Sequence, residues 1–221
     1  MKIAIIGAGN VGSALARGWA RKGHDLLLGV RDPSDRAVQS LCQDTRAQAR
    51  LVREAADAAA VVVLALPWTA AAEAVQALGP LAGKIVIDCM NPLALRDGVL
   101  VLERGFATSA GETVAEWLPA ARVVKTLNQV GAAVMADTSG FAIPPVMFMA
   151  SDHAEAKTTV AGLLADLGFE PLDAGNLIQA RYLEPYAMVW INQSLYQGKS
   201  LPWAFGALTR VARSAESHGT K

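Results

Sequence analysis

The sequence predicts an α/β chain built on a doubly wound parallel sheet. Three observations carry this. Short apolar runs recur at a regular pitch: KIAII (2–6), DLLLGV (25–30), AVVVLAL (60–66) and KIVIDC (84–89). Helical stretches separate them, as crossovers between parallel strands require. A glycine-rich stretch, GAGNVG (7–12), joins the first apolar run to the first helical one.

The elements follow in order. KIAII is isoleucine-rich and stops at Gly7, as a strand buried on both faces does. In NVGSALARGWARKG, Val11, Leu15, Trp19 and Lys22 fall on helical spacing, and Gly23 takes the position after the C-cap. Residues 33–48 read as a polar-faced helix, ARLV (49–52) as a short third strand and TAAAEAVQAL (69–78) as a helix. The pattern loosens after Asn91. SAGE (109–112) is a capping box opening a helix that Pro119 ends. RVVKTL (122–127) and PVMFMA (145–150) read as strands, and Asp152 with Glu155 as the cap of a helix running to Gly168. FEPLD (169–173) is a short strand, and a final helix begins near Arg181. The expected division is a cofactor-binding domain over 1–136, a small domain over 137–208 and a disordered tail over 209–221.

Composition excludes several classes. The 221 residues suffice for one generous domain or a domain with an annex, and at 52% hydrophobic they can fill a large core. Twenty basic residues balance twenty acidic ones without a charge block, which argues against nucleic acid or a membrane surface as partner. Cys42 and Cys89 lie far apart at no metal or redox spacing, and neither they nor His24, His153 and His218 form a metal set. The longest apolar run, AAAVVVLAL (58–66), is too short to span a bilayer, and the N-terminus lacks a secretory pattern. A soluble, cytoplasmic protein is expected.

GAGNVG matches G-x-G-x-x-G in the context its mechanism needs, after a strand and opening a helix. This makes the fold Rossmann-type. Gly7 permits the tight turn, Gly9 lets backbone approach a pyrophosphate, and Gly12 lets the helix pack on the strand. Ala8, Asn10 and Val11 complete the loop at the helix N-terminus, whose free N–H groups and dipole attract phosphate. Arg31 lies nineteen residues after Gly12, where the ribose reader is expected. Asp32-Pro33 reads as a helix start with Asp32 as N-cap, so its carboxylate is occupied and Arg31 faces a 2′-phosphate. Ser34 and Arg36 add donors, and the cofactor is NADP rather than NAD. Ligands in such sheets bind beyond the carboxyl ends of the strands. That assigns Leu66, Pro67 and Trp68 after the fourth apolar run, and Asn91 and Pro92 after the next, to the nicotinamide wall.

GAGNVGSALARGWARKGHDLLLGVRD, VVVLALPW, SAGETVAEWLPAARVVKTLNQVG and LGFEPLDAGNLIQARYLEP together resemble the NADP oxidoreductases that use the deazaflavin coenzyme F420. They also resemble the reductase domains of six-transmembrane metalloreductases, which pass hydride from NADPH to a flavin. The resemblance covers roughly residues 2–208. It implies a Rossmann domain with a small C-terminal domain, paired as a homodimer, with Gly7 to Gly12, Arg31, Pro67 and Trp68 holding NADP. The deazaflavin enzymes carry a histidine where this chain has Asn128, and the metalloreductase domains an asparagine. Flavin and deazaflavin therefore both stand as acceptors, in a pocket assigned to Asn128, Gln129, Val130 and Gly131.

No catalytic acid–base pair is evident. Lys125 and Asn128 are three apart near a strand end, but Lys125 reads as a strand residue with a solvated head. Cys89 reads as a buried strand-end residue. Hydride passing between planar rings needs alignment more than a protein acid. Tyr182, Tyr186 and Trp190, at i, i+4 and i+8 and followed by Tyr196, Trp203 and Phe205, serve the core, a dimer seam or a platform for the acceptor ring. Two further functions stand beside the leading one. One is NADPH-dependent reduction of a small imine or carbonyl through Lys125 or Asn128. The other is a non-catalytic NADP-sensing module.

Overall fold

A computed structural model describes residues 1–199 and 202–210. His218 and residues 211–221 of the expected tail lie outside the described residues. Among the described residues, ten strands and eight α-helices follow in order: β1 (Lys2–Ile6), α1 (Asn10–Arg21), β2 (Asp25–Val30), α2 (Arg36–Thr45), β3 (Gln48–Leu51), α3 (Val52–Asp57), β4 (Val61–Leu64), α4 (Ala71–Leu78) and β5 (Ile85–Asp88). Then come β6 (Leu93–Arg96), β7 (Val99–Leu102), α5 (Ala110–Trp117), β8 (Arg122–Lys125), α6 (Ala132–Ala136), β9 (Val146–Ala150), α7 (Ala154–Asp166), β10 (Glu170–Gly175) and α8 (Ala180–Leu195).

Eight strands form one sheet in the order β10-β9-β8-β5-β4-β1-β2-β3. The doubly wound parallel sheet is borne out. Every neighbouring pair runs parallel except β8–β9, which meet antiparallel at Lys125 and Ala150. The C-terminal strands β9 and β10 thus continue the edge of the main sheet. One buried cluster gathers Ile3, Ile5, Leu15, Trp19, Val63 and Leu163 on one face, and a second gathers Ile6, Val62, Leu64, Val75 and Val86 on the other. Strands buried on both faces explain why their sequences are continuous apolar runs without alternation. Trp19 is fully buried, and its indole N–H donates to the Leu163 carbonyl (3.0 Å), tying α1 to α7.

Four details differ from the sequence reading. The helix expected from residue 33 starts at Arg36, and its N-cap is Asp35, whose carboxylate accepts from Ala37 and Val38 N–H. Asp32 instead closes a turn on Ser34 (2.8 Å from its N–H, 2.6 Å from its hydroxyl). Asp152 does not cap α7; it accepts from Leu177 N–H (3.0 Å), and His153 holds the N-cap position. The stretch after Asn91 forms a β6–β7 hairpin, with Asp97 and Gly98 both at positive φ in its turn. Lys125 has no solvated head, as described below.

Candidate active site

The carboxyl ends of β1, β2, β4, β5 and β8 converge on one edge. After β1, Gly7 (φ +101°) turns the chain, and a Cβ there would lie 2.6 Å from the Ala65 carbonyl oxygen. A Cβ at Gly12 would run into the Gly7 carbonyl oxygen. Gly9 is different: no atom lies within 4 Å of where its Cβ would stand. The three glycines therefore serve a turn, a helix–strand contact and an open approach to backbone, which is the division a pyrophosphate cradle needs. The first bond of α1 runs from Ser13 N–H to the Gly9 carbonyl (2.8 Å), leaving Asn10, Val11 and Gly12 N–H at its N-terminus. These residues fit a dinucleotide phosphate.

Arg31 follows β2 and is exposed, without an ion-pair partner among the described residues. Asp32 beside it is engaged, and the Ser34 hydroxyl and amide hold its carboxyl below the usual range. The Ser34 hydroxyl proton is thereby taken. Arg36 begins α2 and is exposed.

On the β4 side, Leu66 is half-buried and Pro67 exposed, and Trp68 opens a short 3-10 turn. The Trp68 ring stacks on Trp117 (centroids 5.6 Å apart, planes 13° apart), and its N–H donates to Glu103 (2.8 Å). Asn91 and Asn128 bridge the ends of β5 and β8. Asn91 Nδ2 donates to the Asn128 carbonyl (2.8 Å), and Asn128 Nδ2 donates to Asn91 Oδ1 (3.0 Å) and to the Leu183 carbonyl (3.1 Å). Pro92 is buried beside them. Gln129 donates to Asn128 Oδ1 and exchanges two bonds with the Phe148 backbone. Asn128 is 5% exposed and Gln129 1%, so their amides face protein partners. Val130 is buried as well, and Gly131 meets Trp190, whose ring occupies the space a Cβ would need. Between Lys125 and Asn128 the backbone passes through Leu127 at φ +57°, an unusual conformation for a buried leucine.

Beneath this bridge lies a charge cluster absent from the sequence reading. Lys125 Nζ sits 3.1 Å from Asp88 Oδ2 and 3.0 Å from Glu184 Oε1, and also donates to the Met90 carbonyl. All three charged side chains are fully buried. Burial alone would depress the ammonium pKa, but Asp88 and Glu184 together outweigh it and raise it above the ordinary lysine range. Glu184 also accepts the Ala110 and Gly111 N–H groups (3.0 and 3.1 Å), so α8 caps α5. Next to Asp88, burial and that carboxylate push the Cys89 thiol far up, so it is no nucleophile at neutral pH.

Residues 2–92 match the family described as NADP oxidoreductase, coenzyme F420-dependent. A solved structure assigned as an F420-dependent NADP reductase from Arthrobacter sp. FB24 is 32% identical, with a TM-score of 0.87, covering 95% of this chain and 100% of that one. The chain belongs to this F420-dependent NADP oxidoreductase family. Its fold is that of the family, which is one of NADP-dependent oxidoreductases. Metalloreductase STEAP3 of Rattus norvegicus is 29% identical over 185 residues, 83% of this chain and 36% of that protein. An NAD-dependent L-serine dehydrogenase of Pseudomonas aeruginosa is 31% identical over 175 residues, 79% of this chain and 54% of that protein. The chain thus spans about a third and about half the length of these two relatives. No helix among the described residues is long and apolar enough to cross a membrane.

Proposed function

We propose that the chain carries hydride between NADP(H) and a flavin or deazaflavin ring held at the β4–β5–β8 edge. The observation that carries this reading is the sealing of Lys125. Its ammonium is spent on Asp88, Glu184 and Met90, so it reaches no substrate carbonyl or imine. The amide protons of Asn128 are likewise spent on Asn91 and Leu183. Carbonyl or imine reduction needs a proton donor at the reacting atom, and neither candidate is free to be one. NADPH, when bound, supplies a hydride to the acceptor ring, which takes its proton from water. The protein's part is alignment of the two rings. The α1 N-terminus and Arg31 hold the phosphates, and Pro67, Trp68, Asn91 and Pro92 wall the nicotinamide. The segment Asn128 to Gly131 supports the acceptor's side of the cleft through backbone and packing.

Residues 1–136 supply the cofactor site in this reading, and 137–208 close its edge. The chain works as a cytoplasmic homodimer. Its two cysteines are free, as in a reducing compartment. The exposed Tyr182 and Val189 on α8 and Tyr196 at its C-cap lie seven residues apart and offer an apolar stripe for a second copy. Light scattering on the purified chain reads the dimer directly. The function is tested by NADPH oxidation with FMN, FAD, riboflavin and the deazaflavin coenzyme, beside a panel of ketones and imines. Turnover is expected with the ring acceptors. Efficient reduction of a ketone or imine with all rings ignored overturns the reading.

A further inference from the structure

The β6–β7 hairpin brings one unclaimed cation to the cleft rim. Leu102 pairs with Leu93, and Glu103 N–H donates to the Pro92 carbonyl (2.7 Å), so the chain returns to the end of β5. Glu103 also accepts from Trp68 N–H, which follows β4. Arg104 is therefore set between the two strand ends that wall the nicotinamide. Its guanidinium carbon lies 5.7 Å from the centre of the Trp68 ring, and Trp68 is itself backed by Trp117. Among the described residues no carboxylate comes within ion-pair distance of Arg104, and its buried Nε has no hydrogen-bond partner. Burying such a group without an acceptor is costly, and so is holding a cation un-neutralised in a fixed place. An aromatic seat and a free planar donor fork are what recognition of a phosphate requires.

The cofactor's own phosphates are matched elsewhere. In the order β5-β4-β1-β2, Gly7 to Gly12 follow β1 and Arg31 follows β2. Arg104 belongs to the β4–β5 side, past the nicotinamide end of that path. We propose that Arg104 anchors an anionic, phosphorylated tail on the acceptor, so that the site selects tailed rings over bare ones. This rests on the flavin or deazaflavin reading above and adds the group that chooses among such rings.

The test compares ligands that share a ring and differ in the tail. Binding is read by fluorescence in the presence of NADP for FMN against riboflavin, and for the deazaflavin coenzyme against its tail-free ring fragment. The unmodified chain should bind the tailed member of a pair about tenfold tighter, as a partly exposed charge-assisted contact gives. Arg104→Gln should erase that preference while leaving riboflavin and NADPH affinity as they were, and Arg104→Lys should restore part of it. The pair with the larger preference identifies the source of the phosphate. Equal affinity for tailed and bare rings in the unmodified chain overturns the assignment, as does an equal loss for both in Arg104→Gln. If the unmodified chain binds none of the four, the ring-acceptor reading itself falls, and this assignment with it.

Discussion

Asn91 and Asn128 exchange two hydrogen bonds in opposite directions, side chain to backbone at 2.8 Å and side chain to side chain at 3.0 Å. These bonds brace the ends of β5 and β8 against each other and, through Leu183, against α8, at the edge where both residues are expected to meet ligand. Removing one partner strands a buried polar group, so Asn128→Ala should cost about 1–3 kcal/mol in urea unfolding. Asn91→Ala with Asn128→Ala should cost less than the sum of the singles, because the second change removes the group the first leaves unpaired. Strict additivity would mean the bridge carries no shared energy.

In the proposed reading, cofactor choice rests on Arg31. The adjacent carboxylate is folded back onto Ser34, so the guanidinium alone is free to meet the 2′-phosphate. Arg31→Ala should weaken NADPH by about ten- to a hundredfold and leave NADH nearly unchanged. Isothermal titration with both cofactors checks this, and equal losses would remove Arg31 from the ribose site.

The Lys125 cluster predicts both a stability and a pH effect. Lys125→Met leaves Asp88 and Glu184 buried without a counter-charge and should cost about 3–5 kcal/mol. In the unmodified chain the Lys125 pKa is raised on folding. A raised base stabilises the fold fully below its unfolded pKa, and that contribution is lost as pH climbs through the folded value. Denaturant midpoints should therefore fall above about pH 10.4, the ordinary lysine value. In Lys125→Met that part of the alkaline loss should be missing. An unchanged alkaline slope in the variant would show that other groups cause it.

If hydride passes ring to ring, no thiol takes part. Cys89→Ser should keep most of kcat, since burial and Asp88 hold the thiol protonated. A loss above about a hundredfold, ~2.7 kcal/mol of transition-state stabilisation, in a folded variant would expose a missed catalytic role.

Local signals made much of this legible. The apolar runs found the central strands, because parallel strands buried on both faces leave no alternation to misread. The glycine motif found the turn between β1 and α1, because each glycine answers a separate steric demand. The α2 cap was misplaced because two aspartates compete within four residues and only Asp35 reaches the helix N–H groups. The hairpin's signal in the sequence is Asp97-Gly98 between LALR and VLVL, a turn pair joining two short apolar runs, and Arg104 follows it. A lone lysine in a strand is usually solvated, which is why the sequence points Lys125 to solvent. Its partners, Asp88 on the neighbouring strand and Glu184 on a distant helix, become neighbours only in the folded sheet. An acid and a base ending two otherwise apolar runs were the available hint.

The central claim, direct hydride passage to a ring at this edge, is tested most directly by isotope transfer. NADPH deuterated at the transferable carbon, in each of its two stereoisomers, is turned over with deazariboflavin. The reacting ring position of that acceptor is carbon, so it does not lose the label to water. Because a fixed cleft presents one nicotinamide face, deuterium should appear in the reduced ring from one stereoisomer and stay on the nicotinamide with the other. Turnover with no deuterium in the ring, or with label from both stereoisomers equally, would contradict it.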